Sequence, residues 1–346
     1  MKKGIFKFLG LFSACAGITL TLASCGSNTM TYKDADGNEV KTTVTATEDP
    51  EKTAEAVYAV GQSYSENTVK ENLKEVTAVK VTLNDNAVVK EDGKEVLNAT
   101  VKGEVIASTT DALASGKLDF SVKLDNASMY VNVKGNVTLT SKDKIVYLDG
   151  SYTLSTDAEA KEEAKPQTIK YFLDTTKMTN LIPTTQIPDV EINASASIAD
   201  MSAQLALSLK GLELDGLKSS IKESGLYIAG ASSDTITLGL KGEKIVGALS
   251  GVLGNLVELE ANTEKSTAEV KLGFSTKYYL PTELSAKATI VDTENANTTA
   301  TLNATNTINF GKFTVAAPAS TDGYTDLSAL IGLLLSSLGG GLIPSI

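Results

Sequence analysis

Lys117-Leu118-Asp119-Phe120-Ser121-Val122-Lys123-Leu124-Asp125 decides the fold: apolar residues stand at every second position, with charged or hydroxyl residues between them. A period of two puts Leu118, Phe120, Val122 and Leu124 on one side of an extended strand and the polar residues on the other. A strand with one dry and one wet face belongs in an antiparallel sheet covered on one side. The alternation extends in both directions. Upstream lie Leu97, Ala99, Val101, Gly103 and Val105; downstream come Met129, Val131 and Val133, then Val137 and Leu139, Ile145 and Tyr147, and Ile169, Tyr171 and Leu173. Glu91-Asp92-Gly93-Lys94, Asp125-Asn126, Gly135-Asn136 and Asp149-Gly150 carry turn chemistry and are expected to reverse the chain.

Val190 to Ala196 is expected to close this series, and a second series of strands is expected at Met201 to Leu209, Leu226-Ile228, Ile236 to Leu240, Ala268 to Phe274, Leu284 to Ile290, Ala300 to Ala304 and Phe313-Val315. No clean repeat relates the two series, so one large sheet and two similar halves both fit. The fold class is mainly β: a large curved antiparallel sheet, an unclosed half-barrel, covered by an N-terminal helix and one or two apolar helices.

Asp49-Pro50-Glu51 starts the N-terminal helix, supplying a capping oxygen, a proline that loses no bond and an acid facing the dipole. The helix is expected from about 50 to 75, interrupted near Ser63-Ser65. Between Glu243 and Val257, Ile245, Leu249, Val252 and Leu256 recur at helical spacing, while Gly247, Gly251 and Gly254 form a small side. Another helix, apolar nearly all round, is expected over 326–338. Small faces permit close backbone approach, so these two helices are expected to pack on each other. Residues 327–343 carry no charge. They are short for a membrane span, which leaves a helix buried against the sheet, one dipping into a bilayer surface, or a frayed tail.

The N-terminus pairs Lys2, Lys3 and Lys7 with an apolar run from Leu9 to Leu22 and a small-residue site at Ala23-Ser24, followed at once by Cys25. This is the layout of a secretory signal. Leu22-Ala23-Ser24-Cys25 resembles the lipobox of bacterial lipoproteins. That resemblance implies cleavage between Ser24 and Cys25 and a diacylglyceryl group on the Cys25 thiol. Two acyl chains at about 0.8 kcal/mol per methylene give on the order of 20 kcal/mol, an effectively permanent anchor. An ordinary signal peptide or an N-terminal membrane helix is the competing reading. The expected organisation is a signal over 1–24, a flexible tether over 25–48, an antiparallel β domain with covering helices over 49–320, and an apolar C-terminal helix and tail over 321–346. Within the tether, Asp34-Ala35-Asp36-Gly37-Asn38-Glu39 lacks the twelve-residue calcium pattern, and Asp36-Gly37 reads more simply as a hairpin turn.

Composition narrows the chemistry. Of 346 residues none is histidine, tryptophan or arginine. Without the signal, 28 lysines face 42 acids, a net charge of −14. So acidic a chain is not expected to bind nucleic acid. Cys15 leaves with the signal and Cys25 goes to lipid, so no disulfide is expected. Without histidine there is no imidazole base and no imidazole metal ligand; without arginine there is no bidentate fork for phosphate. Ser219-Ser220-Ile221-Lys222 and Ser141-Lys142-Asp143-Lys144 match a Ser-x-x-Lys pattern, but no Ser-Asp-Asn or Lys-Thr-Gly accompanies either. No enzyme, catalytic residue, metal or cofactor is expected, and nothing sets an oligomeric state.

The lipobox, tether, amphipathic helix, long meander and closing Asn309-Phe310-Gly311-Lys312-Phe313-Thr314-Val315-Ala316-Ala317-Pro318 together resemble the lipoprotein-carrier superfamily of Lol-type and mycobacterial glycolipid carriers, over about residues 50 to 318. The resemblance implies a lipid held between a curved unclosed sheet and its helices, although this chain has no arginine inside the sheet. The candidate apolar-ligand face is Leu118, Phe120, Val122, Leu124, Met129 and Val131. The same residues would equally close a packed core. Two functions follow: a lipoprotein at the extracytoplasmic face of the cell membrane that binds or carries an apolar ligand, which the resemblance implies is a lipid, or a structural or adhesive surface lipoprotein with a solid interior.

Overall fold

The computed structural model describes residues 27–34, 36–109, 113–127, 129–142, 144–158, 164–174, 194–257, 259–315 and 320–328, with only the backbone described over 194–197 and 252–257. Fourteen strands and five helices are named within them. The first meander runs through β3 (Ala78–Glu91), β4 (Lys94–Ser108), β5 (Ala114–Asn126), β6 (Met129–Lys142), β7 (Ile145–Ser155) and β8 (Gln167–Asp174), each antiparallel to the next. The chain then reaches the opposite edge and returns inward through β9 (Tyr227–Ala231), β10 (Thr235–Lys241), β11 (Thr267–Ser275), β12 (Leu280–Val291) and β13 (Thr299–Gly311). β13 pairs with β3, so the two series are one unclosed sheet and not two. A short β14 (Thr325–Asp326) lies parallel to the edge strand β8 and completes the twelve strands.

Residues directly opposite in an antiparallel pair share a face. Ile290, Ala300, Val89, Leu97, Leu124 and Val131 therefore form one row across six strands, and Ala288, Leu302, Ala87, Ala99, Val122, Val133 and Leu154 the next. The apolar positions of both meanders thus make a single face.

Two groups of helices cover part of it. α5 (Glu243–Val257) occupies the expected span and lays Val246 and Leu249 on Ala268, Ala286, Ala288, Ile290, Ala300 and Leu302. The helix that its glycines are expected to meet lies outside the described residues after Ser328; among the described residues a Cβ on Gly247 would meet no atom within 4 Å. The N-terminal helix is divided where its spacing falters, into α1 (Pro50–Gln62) and α2 (Glu66–Leu73). Asp49 caps α1 by accepting from the Glu51 and Lys52 N–H groups, as its sequence predicts. α1 packs Ala56, Ala59 and Val60 near Ile228, Ile236 and Phe274 of the sheet.

Several expectations are corrected. Residues 28–44 are no free tether: β1 (Asn28–Lys33) and β2 (Glu39–Val44) form a hairpin whose Met30 and Val44 are buried with α1. The turn itself lies where expected, with Asp34 Oδ1 accepting from the N–H groups of Asp36 and Asn38. The strands expected within 194–209 are instead α3 (Ala194–Lys210), followed by α4 (Leu214–Ser224). Alanine, leucine, methionine and glutamine dominate α3, and with Ile198 its sole β-branched residue, helix propensity outweighs apparent alternation. Gly135-Asn136 and Asp149-Gly150 sit inside β6 and β7 and do not reverse the chain. Residues 313–315 follow β13 and are not strand. The helix expected over 326–338 lies outside the described residues after Ser328.

Candidate functional site

The candidate ligand residues are brought together. Leu118, Phe120, Val122 and Leu124 of β5 stand opposite Gly103, Val101, Ala99 and Leu97 of β4, and opposite Val137, Gly135, Val133 and Val131 of β6. Met129 is on the same face one step further along β6. The hairpin turn at Asp125-Asn126 fixes this register, because the Asn126 side chain accepts from the Met129 N–H at 2.9 Å.

Their burial is uneven. Val89, Leu97 and Ala99 on β3 and β4 are sealed, whereas Leu118, Phe120, Val122, Leu124 and Val131 are only half-buried. Met129, Leu139 and Leu154 are 42%, 37% and 43% exposed. α5 meets β10, β11 and β12, and α1 meets β9, so the described helices lie chiefly over the second meander. The apolar face continues past them across β5, β6 and β7. Its reverse side is polar, with Lys123 and Asp125 paired at 2.9 Å.

The sheet's own glycines shape this region. Gly103 and Gly150 have φ of +154° and +159°, and a Cβ on either would approach a neighbouring strand's carbonyl oxygen to 2.0 or 2.1 Å. Only glycine permits strands so close at these points.

One polar pair interrupts the apolar face. Asp85 follows Leu83 and precedes Ala87 and Val89 at the two-residue period of β3, and Asn306 follows Leu302 and Ala304 on β13. They are 5% and 2% exposed. Asn306 Nδ2 donates to Asp85 Oδ1 at 3.2 Å, while Asn306 Oδ1 accepts the Asn84 N–H at 2.6 Å. Burial drives the Asp85 carboxyl up from 3.8 to about 6, against the opposing pull of the Asn306 bond. The signal for this pair was present in the sequence as a charged residue and an amide at core-facing positions of alternating strands.

Ser24 and Cys25 lie outside the described residues. Ser219 donates to the Asp215 carbonyl within α4, an ordinary helical back-bond, and takes no lysine partner. Among the described residues no three histidine, cysteine or acidic side chains gather as metal ligands, and no helix is long and apolar enough to cross a membrane. Two clefts open at the strand ends. One of about 430 Å3 lies among Asp234, Lys277, Tyr278, Glu283 and Asn309; one of about 490 Å3 lies beside the start of α5, among Lys241, Glu243 and Lys287. Neither is lined by a residue of β5, β6 or β7. Exposed apolar residues recur on α3, at Met201, Leu205 and Leu207.

No protein-family model matches the chain, and no curated protein matches it in sequence. Among solved structures, a beta-barrel-like protein of domain of unknown function DUF1849 from Brucella abortus is similar at 8% identity and a TM-score of 0.21, over 68% of this chain and 99% of that one. A DUF1329 family protein from Desulfovibrio piger is similar at 8% identity and a TM-score of 0.13, over 75% of this chain and 93% of that one.

Proposed function

We propose that this is a lipoprotein, anchored through Cys25 at the extracytoplasmic face of a membrane, that binds an apolar ligand, a lipid by class, on the part of its sheet that no described helix covers. The observation that carries the reading is the continuity of the apolar face from beneath α5 out across β5, β6 and β7. There Phe120, Val122, Val133, Leu139 and Leu154 remain half-buried or exposed. Soluble chains rarely leave so much contiguous apolar surface to water without a binding role. The ligand would lie along the rows of that face, with the strands' polar sides turned to solvent.

Native mass spectrometry of the mature chain carrying Cys25→Ser, before and after solvent denaturation, tests this. A reproducible adduct that leaves on denaturation and proves to be a lipid is expected. A bare polypeptide mass, with no uptake of an offered fluorescent fatty alcohol, would overturn it in favour of a surface protein that works by contact alone. The anchor has its own test: Cys25→Ala should leave the signal uncut or release the protein from the membrane fraction, and unchanged processing and fractionation would contradict it.

A further inference from the structure

Asp85 and Asn306 are placed where a polar group has least reason to be. Their face neighbours are Leu83, Ala87, Val101 and Ala304, all uncharged, and the charged side chains at the start of α5, Glu243 and Lys244, are exposed. Among the described residues no lysine pairs with Asp85, and Asn306 is the only side chain that bonds it. Burying a carboxylate against one neutral donor is costly, and sequences that need only a core put an aliphatic residue there.

Cross-strand register links the pair to the open face. Asp85 stands opposite Val101, Val101 opposite Phe120, Phe120 opposite Gly135, and Gly135 opposite Tyr152. This row leads from a polar end at the β3–β13 seam into the half-buried apolar surface. Asn306 is held in one orientation by the Asn84 N–H, so its amide nitrogen must face Asp85.

We propose that Asp85 and Asn306 form the polar anchor of the apolar face and select an uncharged, hydroxyl-bearing amphiphile over its carboxylate counterpart. The ligand hydroxyl donates to the Asp85 carboxylate and accepts from the Asn306 amide, while its chain follows the row through Val101 and Phe120. A fatty acid in the same place would set a second negative charge against Asp85 in a poorly solvated site. This inference rests on the apolar-ligand reading above.

Displacement of the uncharged dye N-phenyl-1-naphthylamine from the mature Cys25→Ser chain at pH 7.5 tests it, with 1-decanol and decanoate as competitors of equal chain length. Decanol is expected to compete about tenfold better than decanoate, and Asp85→Asn to narrow that ratio to within about threefold. Equal competition in the unsubstituted chain, or a ratio unchanged by Asp85→Asn in a variant that still melts cooperatively, would overturn the anchor while leaving the apolar-ligand reading intact. The ratio in the unsubstituted chain decides by itself if the variant does not fold. Failure of both compounds to displace bound dye, or of the dye to bind, would overturn both.

Discussion

Asp85 ties the fold's stability to pH. Its carboxyl rises from 3.8 to about 6 in the folded chain, so between those values the native state holds a proton that the unfolded chain has lost. Stability from this group is therefore complete below about pH 4 and is lost as pH rises through 6, a loss of about 3 kcal/mol at pH 7.5. The neighbours named above supply no opposing charge. Asp85→Asn keeps an acceptor for Asn306 and removes the buried charge; urea denaturation should find it nearly equal at pH 4 and more stable by the same amount, about 3 kcal/mol, at pH 7.5. A variant less stable at pH 7.5 would contradict this account of the site. Tyr279 is the opposite case, a polar group well satisfied. Its hydroxyl donates to the Val60 carbonyl at 2.8 Å and lies 3.0 Å from Ser63 Oγ, while its ring meets Tyr64 and Phe274 edge-on. Tyr279→Phe should cost about 1–2 kcal/mol in the same assay by leaving the end of α1 without its partner.

At the scale of elements, α5 is a cover built to hold weakly. Val246 and Leu249 bind it to the sheet, but among the described residues a Cβ on Gly247 would meet nothing within 4 Å. Each glycine costs an exposed helix about 1 kcal/mol against alanine. Gly247→Ala should raise stability by about 1 kcal/mol and slow dye uptake in stopped-flow mixing; unchanged stability would show that something other than propensity sets the strength of this helix. The sequence showed α5 to its ends because its apolar spacing is helical and nothing else fits. It showed β4, β5 and β8 nearly as well, since Leu118 to Leu124 cannot alternate so strictly in a helix, but it cut β6 and β7 short at their glycines. α3 was hidden because Ala-Ser-Ala-Ser alternates in size and polarity while belonging to a helix, its inward stripe being Ser202, Ala206 and Leu209 while Leu205 and Leu207 are exposed. Gly135 and Gly150 were hidden for a related reason: glycine in a strand marks close backbone approach as readily as a turn. Gly150→Ala should therefore lower the melting temperature clearly, through collision with the Asn136 carbonyl, whereas Gly93→Ala, in a turn with open space around it, should cost less.

Across the whole molecule, the joining of two meanders at β3 and β13 turns twelve strands into one surface. That seam pairs residues more than 200 positions apart, such as Asn84 with Asn306, and no local pattern announces it. The candidate face was legible as a list of residues on β5 and β6. Its polar end was not, since Asp85 and Asn306 meet only across the seam. The described helices cover the second meander and not β5 to β7, and the proposal is that β4 to β7 receive the ligand. Photolabelling the mature chain with a long-chain alcohol bearing a diazirine, followed by peptide mapping, tests that claim most directly. Labels on the apolar positions of β4 to β7, among them Val101, Phe120, Val122, Val133 and Leu154, are the predicted result. Labels confined to Met201, Leu205 and Leu207 of α3, or no labelling above that of a denatured control, would contradict it.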